Sequence, residues 1–133
     1  MKALRIFGLY FVPGISILIF GFYAVTAGKG HPDVWGAAHG VHQSIVLNYR
    51  WVNAVTLTAW TATLISVLMH QEVSARLAAT FATAYVLCDV VFYIPMARLA
   101  GEAFPFDQFA IFTVQALYAL FLPNLMRDRA VAG

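Results

Sequence analysis

The sequence IFGLYFVPGISILIFGFYAVTA, residues 6–27, runs for 22 residues without a charged side chain. A helix needs about 20 predominantly apolar residues to cross the hydrocarbon core of a bilayer, whereas the apolar region of a signal peptide has about 7–15. The stretch follows Met-Lys-Ala-Leu-Arg, and no cleavage site of small residues stands out after it. We therefore interpret residues 6–27 as a retained first transmembrane helix.

The composition of the whole chain also indicates a membrane protein. Of its 133 residues, 62% are hydrophobic and 11% are charged, and the mean hydropathy is +0.77. A soluble domain has about 45–50% apolar and about 25% charged residues, so this chain lacks the charge to cover itself in water. The net charge of +2, without a basic stretch, excludes a nucleic-acid-binding surface. The length admits a single domain, residues 1–133.

Three further apolar segments, at about residues 46–69, 77–96 and 108–125, complete the predicted topology. We expect an all-α membrane protein whose four transmembrane helices form an antiparallel bundle. The apolar spacing from Val34 to Ile45 adds a short amphipathic interfacial helix between spans 1 and 2.

The distribution of Lys and Arg predicts the orientation. Four spans place both termini on one side, with Lys2, Arg5, Arg76, Arg127 and Arg129 there and Lys29, Arg50 and Arg98 on the other. The positive-inside rule then predicts a multi-pass protein of the cell inner membrane with both termini in the cytoplasm.

Several residues carry predictions about packing in the first two spans. In span 2, Asn53, Thr56, Trp60 and Thr63 recur every three or four residues, so this mildly polar face should turn toward other helices. Pro13 is tolerated in span 1 if a packed neighbour satisfies the carbonyl that it frees. The glycines of span 1, Gly14 and Gly21, lie one heptad apart and should let another helix approach closely.

The later spans carry similar predictions. Gln115, Tyr85 and Tyr93 are expected to form hydrogen bonds between helices, and Pro95 should bend or end span 3. The single cysteine, Cys88, lies in an apolar run, and we interpret it as a small core residue rather than a reactive thiol.

A polar cluster near the outer ends of spans 2 and 3 is the candidate binding site. A charged side chain near mid-bilayer costs about 2.5–3.5 kcal/mol, so Asp89 should face the bundle interior with a partner or be protonated. Asp89 lies roughly 9–10 Å below the outer surface, the surface from which Arg50 and Asn53 start span 2. An Arg50–Asp89 pair is either a structural ion pair or part of a pocket for a ligand head group. The predicted ligand-binding residues are Asn48, Arg50, Asn53, Asp89 and Tyr93.

Two histidines, His39 and His42, form a candidate metal site. They lie three residues apart, but a zinc or iron site needs further ligands, for which His31, Asp33 and Asp89 are the candidates. The alternative is that both imidazoles simply lie at the wet membrane interface. No histidine lies in the middle of a span, which disfavours haem, and the sequence identifies no cofactor.

Three functions remain open. The first is a non-enzymatic bundle, either an accessory subunit or a small-molecule binder. The second is a small membrane enzyme for a lipid-like or quinone-like substrate, with Asp89, Arg50 and the histidine pair as acid and base groups. The third is a transporter acting as a dimer; the lack of an acid in span 1 and of an internal repeat disfavours it.

The motifs Asn48-Tyr-Arg50 and Gly101-Glu-Ala-Phe-Pro105, within this layout, resemble those of the small bacterial DoxX-like membrane proteins. That resemblance implies a four-helix bundle with a polar loop after span 1 and an Asn/Arg pair opening span 2. It also implies a membrane subunit linked to an oxidoreductase complex. The expected partners are the lipid bilayer and either larger membrane-complex subunits or further copies of the chain, with no nucleic acid.

Overall fold

The computed structural model describes residues 2–26, 43–99 and 106–132, with the side chains of residues 2–22, 24, 51–88, 91 and 109–127. These ranges form four helices: α1 (Lys2–Thr26), α2 (Gln43–Leu68), α3 (Glu72–Leu99) and α4 (Phe106–Ala132). No strand occurs within them, which confirms the all-helical prediction. The predicted interfacial helix falls on residues outside the described ranges, except for its last three positions, which belong to α2.

Three of the four helices are long and apolar enough to cross a membrane. Within the described residues these stretches are Lys2–Phe22, Trp51–Leu68 and Phe109–Arg127. The helix α3 has 28 residues but is not among them, so its crossing stays a prediction. Both α3 and α4 extend beyond the predicted spans, because a helix can continue through polar flanking residues that an apolar run does not include.

The helices pack in a ring, in which α1 and α3 each contact both α2 and α4. Small and medium side chains fill much of the centre, and large apolar side chains cover the outside. The buried hydrophobic residues are Leu9, Phe20, Ala59, Trp60, Val67, Ala75, Ala79, Ala82, Val86, Tyr118, Leu122 and Met126. Outside, Leu4, Trp51 and Leu120 are each at least 70% exposed. Such a surface suits lipid, since hydrocarbon solvates apolar side chains as well as a protein core does.

A three-residue turn connects α2 to α3. The N–H of Gln71 donates to the Ser66 carbonyl at 2.8 Å, and the N–H of His70 donates to the Val67 carbonyl at 3.1 Å. These two bonds form a Schellman motif, which requires a left-handed residue directly after the helix. His70 occupies that position with φ 60°. The Gln71 carbonyl then accepts the N–H of Ala75 at 3.0 Å, so α3 begins immediately.

Two packing predictions need correction. Cys88 is exposed, so it is not a core residue. Of the two glycines, only Gly21 approaches another helix, where a Cβ would lie 3.6 Å from Leu57 of α2. Among the described residues, no atom other than those of the neighbouring α1 backbone lies within 4 Å of the corresponding point at Gly14. The helix α3 does not end at Pro95 but continues to Leu99.

Candidate functional site

The structure places the predicted ligand-binding residues on two helices that contact each other. Asn48, Arg50 and Asn53 lie in the first three turns of α2, and Asp89 and Tyr93 lie in the second half of α3. Asn53 has a described side chain, and it is buried, with 1% exposure. The other four side chains lie outside the described set, as do His39 and His42 entirely, so the ion pair and the metal site stay predictions.

The predicted polar face of α2 is confirmed as an inward face. Asn53, Thr56, Trp60 and Thr63 are all at most 1% exposed. Its three polar members, together with one more residue of α2 and one residue each of α1 and α4, form the polar core, which we define as the six buried uncharged polar residues. These are Ser16, Asn53, Thr56, Thr63, Ser66 and Gln115.

The threonine hydroxyls of α2 bond within their own helix. The Oγ1 of Thr56 donates to the Val52 carbonyl at 2.8 Å, and the Oγ1 of Thr63 donates to the Ala59 carbonyl at 2.8 Å. A hydroxyl has one proton, so these two groups have no donor left for a ligand. The amides of the polar core, which carry two donors and an acceptor each, are its chemically versatile groups.

Tyr118 satisfies the backbone carbonyl that Pro13 leaves free. Proline has no N–H, so the carbonyl four residues earlier, that of Leu9, lacks its usual helical donor. The Tyr118 hydroxyl donates to the Leu9 oxygen at 2.8 Å, and both residues are buried. This contact confirms that a packed neighbour satisfies the freed carbonyl. No sequence pattern distinguishes Tyr118 as that donor, although a proline in a span indicates that one is needed.

The side chain of Gln115 forms a second bond between α4 and α1, as predicted. Its Nε2 donates to the Ser16 Oγ at 2.9 Å. Its Oε1 is buried without a hydrogen-bond partner among the described residues, and so is the Nε1 of Trp60. The centroid of the Trp60 ring lies 5.8 Å from that of the Tyr118 ring. Tyr118 itself lies about one helical turn after Gln115 on α4. Tyr85 was also predicted to form a hydrogen bond between helices. Its ring packs on that of Phe81 in its own helix, with the ring centroids 4.9 Å apart.

A lateral groove opens between α3 and α4. Its volume is about 400 Å³. Thr80, Thr83 and Leu87 line it from α3, and Phe112, Ala116 and Leu120 line it from α4. Arg76, near the start of α3, is the first of the lining residues along that helix, and it is exposed.

The described charged side chains lie outside the core, since none of the buried residues is an Asp, Glu, Lys or Arg. They occur near the start of α1, around the α2–α3 turn and near the end of α4. Among the described residues no group of three His, Cys, Asp or Glu side chains lies close enough to hold a metal ion.

Comparisons with known proteins add no relative. No protein-family model matches the chain, and neither the curated proteins nor the solved structures give a significant match.

Proposed function

We propose that this protein is a small integral membrane subunit that binds a partner subunit or an amphiphilic ligand near Asn48, Arg50, Asn53, Asp89 and Tyr93. Its four helices would form an antiparallel transmembrane bundle, with both termini on the cytoplasmic side of the inner membrane. In this role it is an accessory chain of a membrane complex, in keeping with the resemblance to DoxX-like proteins.

The contacts between helices support the antiparallel order. Along α1, Ser16 bonds Gln115 and the earlier Leu9 bonds the later Tyr118, so the two helices run past each other in opposite senses. The three-residue turn between α2 and α3 leaves α3 no room except to return alongside α2.

The observation that carries the proposal is the burial of Asn53. An amide in hydrocarbon needs partners inside the protein, and Asn53 lies at the outer end of the buried polar face of α2. Arg50 and Asn53 precede His70 by 20 and 17 residues, and Asp89 follows it by 19. At 1.5 Å per residue the three positions lie about 30, 26 and 28 Å from the turn. An antiparallel pair of helices would therefore bring them to one level.

A binding role is favoured over catalysis by the groups that the described core offers. Its hydroxyls at Thr56 and Thr63 are engaged by their own helix, and its amides are neutral. Such groups hold and orient a partner, whereas acid–base catalysis needs a titratable group. The enzymatic alternative depends on Arg50, Asp89 and the histidine pair.

Native mass spectrometry of the protein extracted from its own membranes in lipid nanodiscs tests the proposal. Wild type should carry one stoichiometric subunit or amphiphile. Arg50→Gln and Asn53→Leu should reduce its occupancy at least tenfold. Thr58→Val, on the exposed side of α2, should retain it, because that hydroxyl bonds only the Ala54 carbonyl.

Circular dichroism of each variant separates loss of binding from loss of fold. A wild-type chain recovered alone with bulk lipid only, or equal occupancy in all variants, would contradict the proposal. Turnover of a quinone analogue or a lipid ester that Asp89→Asn abolishes would instead establish the enzymatic alternative.

A further inference from the structure

We propose that the groove between α3 and α4 binds one anionic phospholipid, with an acyl chain along the groove and the phosphate against Arg76. The Arg76 end of this site lies at the other end of the helices from the Asn48–Tyr93 cluster. It requires the bundle to stand in a membrane but does not require the proposed partner or ligand.

The groove has the shape of a chain-binding surface. On α3 its lining residues Arg76, Thr80, Thr83 and Leu87 follow helical spacing, and Phe112, Ala116, Ala119 and Leu120 do the same on α4. These two sets of lining residues lie on either side of the groove, and the small side chains of the alanines and threonines leave space between them. The volume of about 400 Å³ falls in the roughly 300–1,000 Å³ range of ligand sites.

The length of the groove matches one leaflet. From Arg76 to Leu87 the helix rises through 11 residues, or about 16 Å. The hydrocarbon core of a bilayer is about 30 Å thick, so the groove extends over about half of it. An acyl chain whose head group lies at the Arg76 end would therefore be accommodated along its length.

The two threonines of the lining offer a ligand no hydrogen-bond donor. The hydroxyl of Thr80 donates to the Arg76 carbonyl at 2.7 Å, and that of Thr83 donates to the Ala79 carbonyl at 2.8 Å. Neither hydroxyl therefore has a proton left to donate to a ligand. A polar ligand would gain little there, whereas an acyl chain needs no polar partner.

The charge at the Arg76 end selects an anionic head group. Arg76 is exposed and makes no ion pair with any residue that the structure describes. The start of α1 and the end of α4, which the α1–α4 hydrogen bonds bring to the same end, add the exposed cations Lys2, Arg5 and Arg127. Glu72 is the acid described near them. Basic surfaces between transmembrane helices attract anionic lipids at about this depth.

Lipid titrations followed by native mass spectrometry test the site. The delipidated full-length protein is titrated with phosphatidylglycerol and with phosphatidylcholine of the same acyl chains. Wild type should bind one phosphatidylglycerol at least fivefold more tightly than phosphatidylcholine. Arg76→Gln should weaken phosphatidylglycerol binding about fivefold, the effect of one cation near a lipid phosphate, and leave phosphatidylcholine unchanged. Arg127→Gln, at the same end but outside the groove, should have a smaller effect.

Filling the groove tests the acyl-chain half of the proposal. Ala84→Leu, at a lining position, should weaken binding of both lipids, whereas Ala62→Leu on the exposed face of α2 should weaken neither. The proposal is overturned if wild type shows no preference for phosphatidylglycerol, if the two arginine variants behave alike, or if Ala84→Leu binds lipid normally. It is also overturned if Ala84→Leu changes the oligomeric state instead, because the groove is then an interface between copies.

Discussion

The hydrogen bond from Tyr118 to the Leu9 carbonyl leads to a prediction about coupling between Tyr118 and Pro13. Tyr118→Phe removes the hydroxyl and keeps the ring that packs on Trp60. The buried Leu9 oxygen is then left without a donor, because Pro13 has no N–H to offer. Leaving a buried acceptor unsatisfied costs about 1–3 kcal/mol. Hydrogen bonds between transmembrane helices average about 0.6 kcal/mol, with a maximum of about 1.7. We therefore expect Tyr118→Phe to lower the free energy of unfolding by about 1–2 kcal/mol.

In a Pro13→Ala background the same substitution should cost less. Alanine restores an N–H that can donate to the Leu9 carbonyl, so removal of the tyrosine hydroxyl no longer leaves that oxygen unsatisfied. The cost of Tyr118→Phe should fall to about 0.6 kcal/mol, the average for such bonds. The double-mutant cycle should therefore show a coupling energy of about 0.5–1.5 kcal/mol between positions 13 and 118.

Unfolding of the four proteins by sodium dodecyl sulfate in mixed micelles, followed by circular dichroism, measures these free energies. Tyr85→Phe serves as the control, because Tyr85 packs on Phe81 in α3 and does not contact α1 through its hydroxyl in the described hydrogen bonds. Its effect should be the same in both backgrounds. If Tyr118→Phe also costs the same in the Pro13→Ala background as in wild type, the tyrosine does not substitute for the missing helical donor, and the reasoning is wrong.

Three further predictions concern the packing of the bundle. His70→Gly should raise the free energy of unfolding by about 0.5–1 kcal/mol. Left-handed backbone costs a residue with a Cβ roughly 1–2 kcal/mol, and the larger conformational entropy that glycine loses on folding offsets about 0.5–1 kcal/mol of the gain. His70→Ala, measured in the same way, should give no gain. Gly21→Leu should lower the free energy of unfolding by about 1–3 kcal/mol, because the larger side chain overpacks against α2. Gly14→Leu should leave the stability nearly unchanged, and thermal unfolding distinguishes the two variants. Gln115→Met should cost less than about 1 kcal/mol in the same assay, because it removes an unsatisfied acceptor along with its hydrogen bond.

The inward face of α2 was predictable from sequence because its polar residues recur with the helical period. The donor for the Leu9 carbonyl was not, although Pro13 indicated that one was needed. Tyr118 lies 109 positions from Leu9, and only the relative placement of α1 and α4 decides which side chain reaches that oxygen. The need for a hydrogen bond is thus visible locally in the chain, whereas tertiary packing determines the partner.

The two glycines of α1 show a similar limit. Gly14 and Gly21 share a face, yet only at Gly21 would a Cβ contact a side chain of α2, that of Leu57 at 3.6 Å. The seven residues between them rise about 10 Å, and helices that cross at about 20° separate by about 4 Å over that length. A heptad of small residues therefore indicates where a close approach is possible, while the crossing geometry decides where it occurs.

In lipid, polar side chains indicate the inward face better than apolar ones, but not all of them equally. Thr58, Thr80 and Thr113 are exposed, and each hydroxyl bonds the carbonyl four residues earlier. A threonine thus satisfies its only donor within its own helix wherever it points. Asn53 and Gln115 carry amides with too many donors and acceptors for that, and both are buried. The polar side chains whose hydrogen bonds cannot all form within their own helix are therefore those that indicate its inward face.

The same reasoning predicts that Asp89 turns into the bundle, because a carboxylate finds no donor in the backbone of its own helix. Its neighbour Cys88 is exposed and provides the matched reference, since adjacent helical positions point about 100° apart. A nitroxide label on native Cys88 should collide freely with oxygen dissolved in the bilayer. The same label on Asp89→Cys in a Cys88→Ala background should collide with oxygen several-fold less often. Equal collision rates at both positions would place Asp89 toward lipid and remove it from the proposed binding cluster.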